Sequence, residues 1–265
     1  MPNLLIVETF NERENWNMDD NFKNQNNLKT LFITRQLTIG GQERQLFYLL
    51  KNINRSRFNP IVLFLDDYPG MPGFKDEILS LNIQVYHLPK YSKWDITVFF
   101  RWWKLIHRIS PDVVFCFSAN YYGAFASIFA GVKRLIVSER VSGFWRKWYH
   151  VYFERLLYKK VFAVVCNSIV TSRKISKQLN IPLNKIKVVY NGIDVKSNDF
   201  LKARLVSETI SIGIVGRVVL HKGHKTIIDA LGNLINEFDL KLNIVGRGDN
   251  LQNLQKMIEE KVLAA

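Results

Sequence analysis

The stretch that decides the fold is Ile212-Gly-Ile-Val-Gly-Arg-Val-Val-Leu-His-Lys-Gly-His-Lys-Thr-Ile-Ile-Asp-Ala-Leu231. An apolar strand pattern ends at Gly216, and apolar residues recur at helical spacing after Gly223. This order predicts a phosphate site at the edge of an open α/β sheet. Glycine lets a phosphate approach the backbone, and the start of the helix offers unpaired N–H groups. Arg217 and Lys222 would add two full positive charges, which suit a diphosphate.

The same alternation of strands and helices runs along the chain from Leu28. Continuous apolar runs predict strands at Leu28–Thr34, Ile61–Leu65, Ile83–Tyr86, Asp112–Phe117, Arg134–Ser138, Val161–Cys166, Lys187–Tyr190, Thr209–Val215 and Leu240–Val245. Helical spacing predicts helices between most of them, with Ser168 as the N-cap of one helix. Such alternation is typical of α/β folds, in which helices cover both faces of parallel sheets.

Composition divides the chain into segments. Residues 1–27, rich in Asn, Asp and Glu, are predicted to be a poorly ordered extension. Residues 28–195 are predicted to form a first Rossmann-like domain, and the polar residues 196–207 a linker. Residues 208–265 carry only two strand–helix units, so we expect a second Rossmann-like domain that is incomplete.

The charge of the chain points to anionic partners. The formal net charge is +14, and aromatic residues make up 13% of the sequence, including six Trp. Nucleic acid, an anionic membrane surface and phosphorylated substrates are all compatible with this charge. The aromatic content favours a membrane interface or carbohydrate. RNP, KH and zinc-finger signatures are absent from the sequence, so nucleic acid is not the expected partner.

Two apolar features have ordinary interpretations. Cys116 and Cys166 lie in strand-like runs and are predicted to be buried thiols.

Residues Val113 to Val132 carry no charge over about the 20 residues that a bilayer requires. Ser118 and Asn120 interrupt this stretch, and its period changes there. A strand, a loop and a buried helix therefore fit better than a membrane span.

Four further motifs lie where strands end or helices begin. Gly40-Gly41 opens a helix, and Ser138-Glu139-Arg140 ends a strand at the edge where ligands of open sheets bind. Asn191-Gly192 and the glycines Gly246 and Gly248 predict turns. Each motif has a purely structural alternative, namely a tight turn or a solvated charge pair.

Taken together, these motifs resemble those of retaining glycosyltransferases with the GT-B fold, the large family 4. The resemblance rests on Gly40-Gly41-x-Glu43, Asn191-Gly-x-Asp194, Gly216-Arg217, Lys222-Gly223 and Gly246-x-Gly248. It implies two Rossmann-like domains that bind a nucleotide diphosphate sugar between them.

The resemblance also implies roles for particular residues. Arg217 and Lys222 would grip the donor diphosphate and, with Glu139, make up the predicted catalytic set. The predicted donor-binding residues are Gly40, Gly41, Gly216, Arg217, Lys222, Gly246 and Gly248. Asn120 and Arg140 would contact substrate. The resemblance requires no cofactor and no metal, since the nucleotide sugar is itself a substrate.

Two departures from the family pattern are visible. Many relatives place a histidine in the loop that here reads Phe117-Ser-Ala-Asn120, and Asn120 cannot replace a titrating group. The family's acidic motif, two glutamates that hold the donor, would lie beyond Ala265. We therefore expect the chain as given to be truncated in its donor domain and poorly active or inactive.

Two stretches combine Trp and Tyr with basic residues, namely Trp94 to Arg108 and Phe144 to Lys160. The first overlaps a helix predicted at about Ile96 to Ile109, and the second is itself a predicted helix. Part of each must be core, but the surplus in Phe144-Trp-Arg-Lys-Trp-Tyr-His-Val-Tyr152 is typical of a membrane interface. Core packing alone and nucleic-acid contact are the alternatives.

The resemblance implies transfer of a hexose from a nucleotide sugar to a cell-envelope or exopolysaccharide acceptor, with retention of anomeric configuration. The acceptor would be a saccharide or a lipid-linked precursor. The protein would be cytoplasmic and peripheral at the inner face of the cell membrane. A non-catalytic remnant or binding protein of the same family is the first alternative, and a basic nucleic-acid-binding protein is the second.

Overall fold

A computed structural model describes residues 27–92, 95–117, 121–140, 147–193 and 209–263. The chain divides into two compact units, Met1–Asp194 and Val195–Ala265, and each is described by itself. Residues 1–26 of the predicted extension and the whole predicted linker, 196–207, lie outside the described residues.

The first unit is built on a seven-stranded sheet in the order β3-β2-β1-β4-β5-β6-β7, with every neighbouring pair parallel. Its strands are β1 (Leu28–Thr34), β2 (Phe58–Phe64), β3 (Gln84–His87), β4 (Val113–Cys116), β5 (Leu135–Glu139), β6 (Ala163–Cys166) and β7 (Ile186–Val188). Its helices are α1 (Gly41–Asn52), α2 (Lys75–Ser80), α3 (Thr97–Ile109), α4 (Tyr121–Phe129), α5 (Trp148–Lys160) and α6 (Ile169–Leu179).

The central strand β1 shows why the sequence folds this way. Successive side chains of a strand point to opposite faces, so a strand covered on both faces must be apolar throughout. Leu31 and Ile33 accordingly join the core cluster that includes residues of α3 to α6. Phe32 joins the cluster that includes residues of α1 and α2. Because all the strands are parallel, their carboxyl ends share one edge of the sheet.

Several sequence predictions are confirmed. The uncharged stretch from Val113 folds as strand β4 and helix α4, with residues 118–120 outside the described part. Both cysteines are buried, and burial raises the pKa of Cys116 to about 12. The Ser168 hydroxyl accepts a hydrogen bond from the Thr171 N–H at 3.1 Å and caps α6.

Several predicted boundaries are wrong; for example, the strand expected over Ile61–Leu65 is Phe58–Phe64. Of the helix expected over Phe144–Lys160, residues 144–146 lie outside the described residues. Its described part begins at Trp148, because Lys147 has an extended backbone and its N–H donates to Nδ1 of His150. The strand expected over Lys187–Tyr190 is Ile186–Val188. Within the described residues, no helix is both long and apolar enough to cross a bilayer.

The second unit contains the parallel pair β8 (Ile210–Val215) and β9 (Leu240–Val245). Helix α7 (His224–Gly232) follows β8 after a 3₁₀ turn at Leu220–Lys222, and helix α8 (Leu251–Leu263) follows β9. Among the described residues of this unit, the buried apolar core consists of Val218, Ile228 and Leu254. Both strand–helix units confirm the pattern read from the sequence.

Candidate functional site

The loop after β8 exposes two cations. Arg217 follows Gly216 directly at the carboxyl end of the strand, and Lys222 ends the 3₁₀ turn that precedes α7. Val218 between them is fully buried and anchors the loop. Within the described part of the chain, neither the Arg217 nor the Lys222 side chain has a hydrogen-bond or ion-pair partner. Both charges are therefore available to a ligand.

Helix α7 begins without a side-chain cap. Its N-cap, Gly223, has φ 77°, a left-handed conformation that favours glycine. The first N–H groups of the helix are left for water or a ligand, and the helix dipole makes this end positive. His224, in the first turn, is 1% exposed, and neither ring nitrogen has a hydrogen-bond partner in the described part of the chain.

Gly246 and Gly248 are needed for packing. A Cβ added to Gly246 would lie 1.8 Å from the Gly216 carbonyl oxygen, and one added to Gly248 would lie 2.2 Å from the Val218 oxygen. The two loops are also joined by backbone bonds, from Gly216 N–H to Val245 O at 2.9 Å and from Val218 N–H to Arg247 O at 2.9 Å. The turn after β9 thus supports the loop that carries Arg217.

In the first unit, Gly40 and Gly41 open α1 at the carboxyl edge of the sheet. A Cβ on Gly40 would lie 2.2 Å from Oε2 of Glu43, whereas one on Gly41 would meet no atom within 4 Å. Packing within the protein therefore does not require glycine at position 41, and the space beside it is open. Glu43 is buried in the first turn of α1, where a carboxylate suits the positive end of the helix.

Glu139 is buried rather than exposed at the end of β5. It is 3% exposed, and one of its carboxylate oxygens accepts a hydrogen bond from the Tyr158 hydroxyl of α5. The solvated charge pair considered from the sequence is not present, since Glu139 and Arg140 point to different partners. The predicted role of Glu139 in catalysis stays a prediction.

Arg140 is held at the sheet edge by neutral groups. Its guanidinium donates to Ser138 Oγ at 3.1 Å and to Asn191 Oδ1 at 2.6 Å, and it lies 4.2 Å from the centre of the Phe117 ring. Burial lowers its pKa, but arginine remains protonated in proteins. The side chain lines a groove of about 510 Å³ in the first unit.

The turn at Asn191-Gly192 is fixed to α1 as well as to β5. Gln45 donates to the Gly192 carbonyl at 2.7 Å and accepts from the Gly192 N–H at 2.9 Å. This reciprocal pair joins the helix that Gly41 opens to the turn that Arg140 also holds. Sequence reasoning missed it, because the two residues lie 147 positions apart.

The remaining predicted and missed residues follow. Asn120 lies outside the described residues.

Sequence reasoning also missed a second buried pair, in which the Tyr121 hydroxyl donates to Glu154. The sequence did carry a signal for this pair, because Glu154 falls at a helical position that faces the core and a buried carboxylate needs a partner. Within the described ranges, no group of three or more His, Cys, Asp or Glu side chains could hold a metal ion.

Comparison with known proteins decides the family. The family model for Glycosyltransferase Family 4 matches residues 39–197. The chain belongs to glycosyltransferase family 4. A protein of Klebsiella pneumoniae, the "Uncharacterized 41.2 kDa protein in cps region", is 28% identical to it over 198 residues. These residues make up 69% of this chain and 50% of that protein, so the chain spans about half the length of this relative.

Solved structures agree with the family. The crystal structure of Anabaena Alr3699/HepE in complex with UDP has a TM-score of 0.70 at 20% identity, covering 89% of this chain and 66% of that one. The apo lipopolysaccharide outer core galactosyltransferase WaaB has a TM-score of 0.63 at 16% identity, with 89% and 66% covered. These likenesses show that the chain has the GT-B fold, and they confirm the α/β fold class predicted from the sequence. That the second domain is incomplete stays a prediction.

The candidate residues fall into two groups, those that the family model covers and those that lie beyond it. Gly40, Gly41, Glu139 and Arg140 fall within the matched residues, whereas Arg217 and Lys222 lie beyond residue 197. The assignment of the two cations to a donor site therefore rests on the local geometry of the second unit.

Proposed function

We propose that this family 4 chain binds a nucleoside diphosphate sugar and transfers its hexose, with retention, to a saccharide of the cell envelope or of an exopolysaccharide. One observation carries the donor part of the proposal. Arg217 and Lys222, two exposed cations with no hydrogen-bond or ion-pair partner among the described residues, flank an uncapped helix start at the carboxyl end of a parallel strand.

These groups match the electrostatic need of the reaction. When the sugar–phosphate bond breaks, negative charge grows on the departing diphosphate. Arg217 and Lys222 would stabilise that charge, helped by the N–H groups at the start of α7. Since the loop is fixed by the turn at Gly246 and Gly248, little reorganisation would be needed.

The first unit would supply the acceptor side. Arg140 presents a fixed cation in the groove and would hydrogen-bond an acceptor or donor hydroxyl or an anionic group. The role predicted for Glu139 in catalysis would be an indirect, positioning one, because its bond to Tyr158 fixes the end of β5 next to Arg140. Gly41 would allow a donor phosphate to approach the start of α1.

The relatives support this donor and acceptor class. HepE was crystallised with UDP, WaaB is a lipopolysaccharide outer core galactosyltransferase, and the Klebsiella protein is named for a cps region. We therefore propose a uridine nucleotide sugar as the first donor to test. A saccharide of a surface polysaccharide, free or lipid-linked, is the proposed acceptor class.

Calorimetric titration with UDP, GDP and ADP tests the donor site directly. We expect one nucleoside diphosphate to bind the 265-residue chain, and Arg217→Ala and Lys222→Ala each to weaken it about tenfold or more. Lys241→Ala and Lys256→Ala remove exposed cations elsewhere in the same unit and should leave affinity unchanged. If all four variants lost affinity equally, the effect would come from net charge alone, and Arg217 and Lys222 would not form a specific donor site.

Turnover separates the proposal from its alternative. Incubation with the matching nucleotide sugar and polysaccharide acceptors should release nucleoside diphosphate, even if only at the low rate expected from the sequence, and NMR of the product should show the anomeric configuration of the donor. Binding without turnover in any donor–acceptor combination would favour a non-catalytic binding protein of the family.

A further inference from the structure

Helix α3 carries a second apolar stripe that the core does not use. Its inner face packs in the sheet core through Val98, Trp102 and Ile106. On the opposite side, Ile96, just before the helix, and Phe100 and Trp103 within it follow one another at helical spacing. Their exposed fractions are 70%, 57% and 38%. Core packing, the simpler explanation of this helix, accounts for the first stripe only.

Helix α4 extends this stripe. Phe129, at the end of α4, is 69% exposed. The Trp103 indole N–H donates to the Phe129 carbonyl at 3.3 Å, and the Phe99 ring lies edge-on to the Phe129 ring at 5.6 Å. The α3–α4 patch, defined as Ile96, Phe100, Trp103 and Phe129, therefore lies on two helices that touch.

Positive charge flanks the patch. Lys104 and Arg108 lie one helical turn apart on α3, and both are exposed. Between Ile96 and Ser110 the sequence contains no Asp or Glu. The carboxylates that border this stretch in the sequence are both engaged. Asp95 is bound by Arg101 at 2.8 Å and by the Tyr91 and Thr97 N–H groups, and Asp112 accepts a hydrogen bond from the Lys29 N–H at 2.8 Å.

We propose that the α3–α4 patch docks on the surface of an anionic lipid bilayer. Exposed Phe, Trp and Ile beside Lys and Arg are the combination that settles at headgroup depth, with rings in the interface and cations on lipid phosphates. Helix α5 adds to the case, since it also packs against α4 and exposes Tyr152, Phe153, Lys159 and Lys160. A protein partner would need an apolar surface with acidic flanks, and the net charge of +14 favours the extended anionic surface.

This inference deepens the proposed function, since it makes a lipid-linked saccharide the acceptor that the enzyme would meet at the bilayer. Vesicle binding is measured without donor or acceptor. A failure of docking is therefore distinguishable from a failure of transfer, which is measured with soluble acceptors.

Co-sedimentation with vesicles tests the contribution of the apolar side chains of the α3–α4 patch to lipid binding. We expect the full chain to bind vesicles containing phosphatidylglycerol and to bind phosphatidylcholine vesicles much less. The double variant Ile96→Ser with Phe100→Ser should bind the anionic vesicles about tenfold less tightly. Its control is Val170→Ser with Leu183→Ser, which replaces residues on and near α6 that are 77% and 59% exposed.

Two charge-reversal double variants test, in the same way, the basic residues that flank the patch. Lys104→Glu with Arg108→Glu should abolish binding, whereas Arg173→Glu with Lys177→Glu on α6 changes the net charge equally and should retain most of it. Unfolding curves should show all four double variants folded. Absence of wild-type binding, or equal loss in patch and control variants, would overturn the proposal.

Discussion

Glycines that look equivalent in the sequence differ at the scale of single residues. Gly41 and Gly246 both lie in strand-to-helix connections, and both were predicted to border a donor. A side chain at position 41 would enter open space, while one at 246 would overlap the carbonyl of Gly216. The first position is thus free to serve a ligand, and the second is needed by the fold.

Alanine substitution should separate these two roles. Gly41→Ala should leave the free energy of unfolding unchanged or raise it by up to about 1 kcal/mol, because alanine favours a helix and meets no atom. Sugar transfer should fall if a phosphate approaches this backbone. Gly246→Ala should lower the free energy of unfolding by about 1–3 kcal/mol through overpacking. Denaturant unfolding and an activity assay measure the two effects. Full activity in folded Gly41→Ala would remove Gly41 from the donor site.

The part of the site that the sequence predicts is the part that is local. Arg217 and Lys222 could be read from one stretch, because strand, turn and helix start follow one another there. The contacts of Arg140 with Asn191 and of Glu139 with Tyr158 join residues 51 and 19 positions apart. No spacing rule connects such pairs, so their geometry had to come from the folded sheet.

At the scale of elements, the type of each element was easier to predict than its boundaries. β1 matches its predicted bounds because six of its seven residues, all except Lys29, are buried. The start of α5 depends on Lys147 and its contact with His150, and neither residue type is a usual N-cap. Element type therefore follows from hydrophobic period, and boundaries depend on single contacts.

The start of α3 depends on one carboxylate. Asp95 accepts from the Thr97 hydroxyl, from the N–H groups of Tyr91 and Thr97, and from Arg101, and these contacts lower its pKa to about 2 from an ordinary 3.8. A carboxylate with a lowered folded-state pKa stabilises the fold above its unfolded-state pKa. Its contribution should therefore be complete above about pH 5 and be lost as the pH falls toward 2.

A comparison of variants across pH checks this expectation. Asp95→Asn should be less stable than the wild type at pH 7, and the difference should shrink steadily below pH 4. Asp76→Asn, which changes an exposed carboxylate in the first turn of α2, should show a much smaller difference at every pH. A gap between wild type and Asp95→Asn that stays constant down to pH 2 would contradict the assigned contacts.

At the scale of the whole molecule, the two units differ in how much core they bury. In the first unit, two large clusters lie on the two faces of a seven-stranded sheet. In the described part of the second unit, three buried apolar residues lie beside a two-stranded sheet. The sequence predicted α/β units in both, but the strand order and the depth of each core depend on long-range packing.

Stability should therefore be uneven along the chain. Amides of β8 and β9 should exchange with solvent much faster than those of β1 and β4, because little buried apolar area opposes local opening of the second unit. A bound nucleoside diphosphate stabilises only the state that binds it, so it should slow exchange in β8 and at the start of α7. Hydrogen exchange followed by mass spectrometry measures both effects in one sample. Ligand protection confined to the first unit would place the nucleotide away from Arg217 and Lys222, and equal protection of both units would contradict the difference in core size.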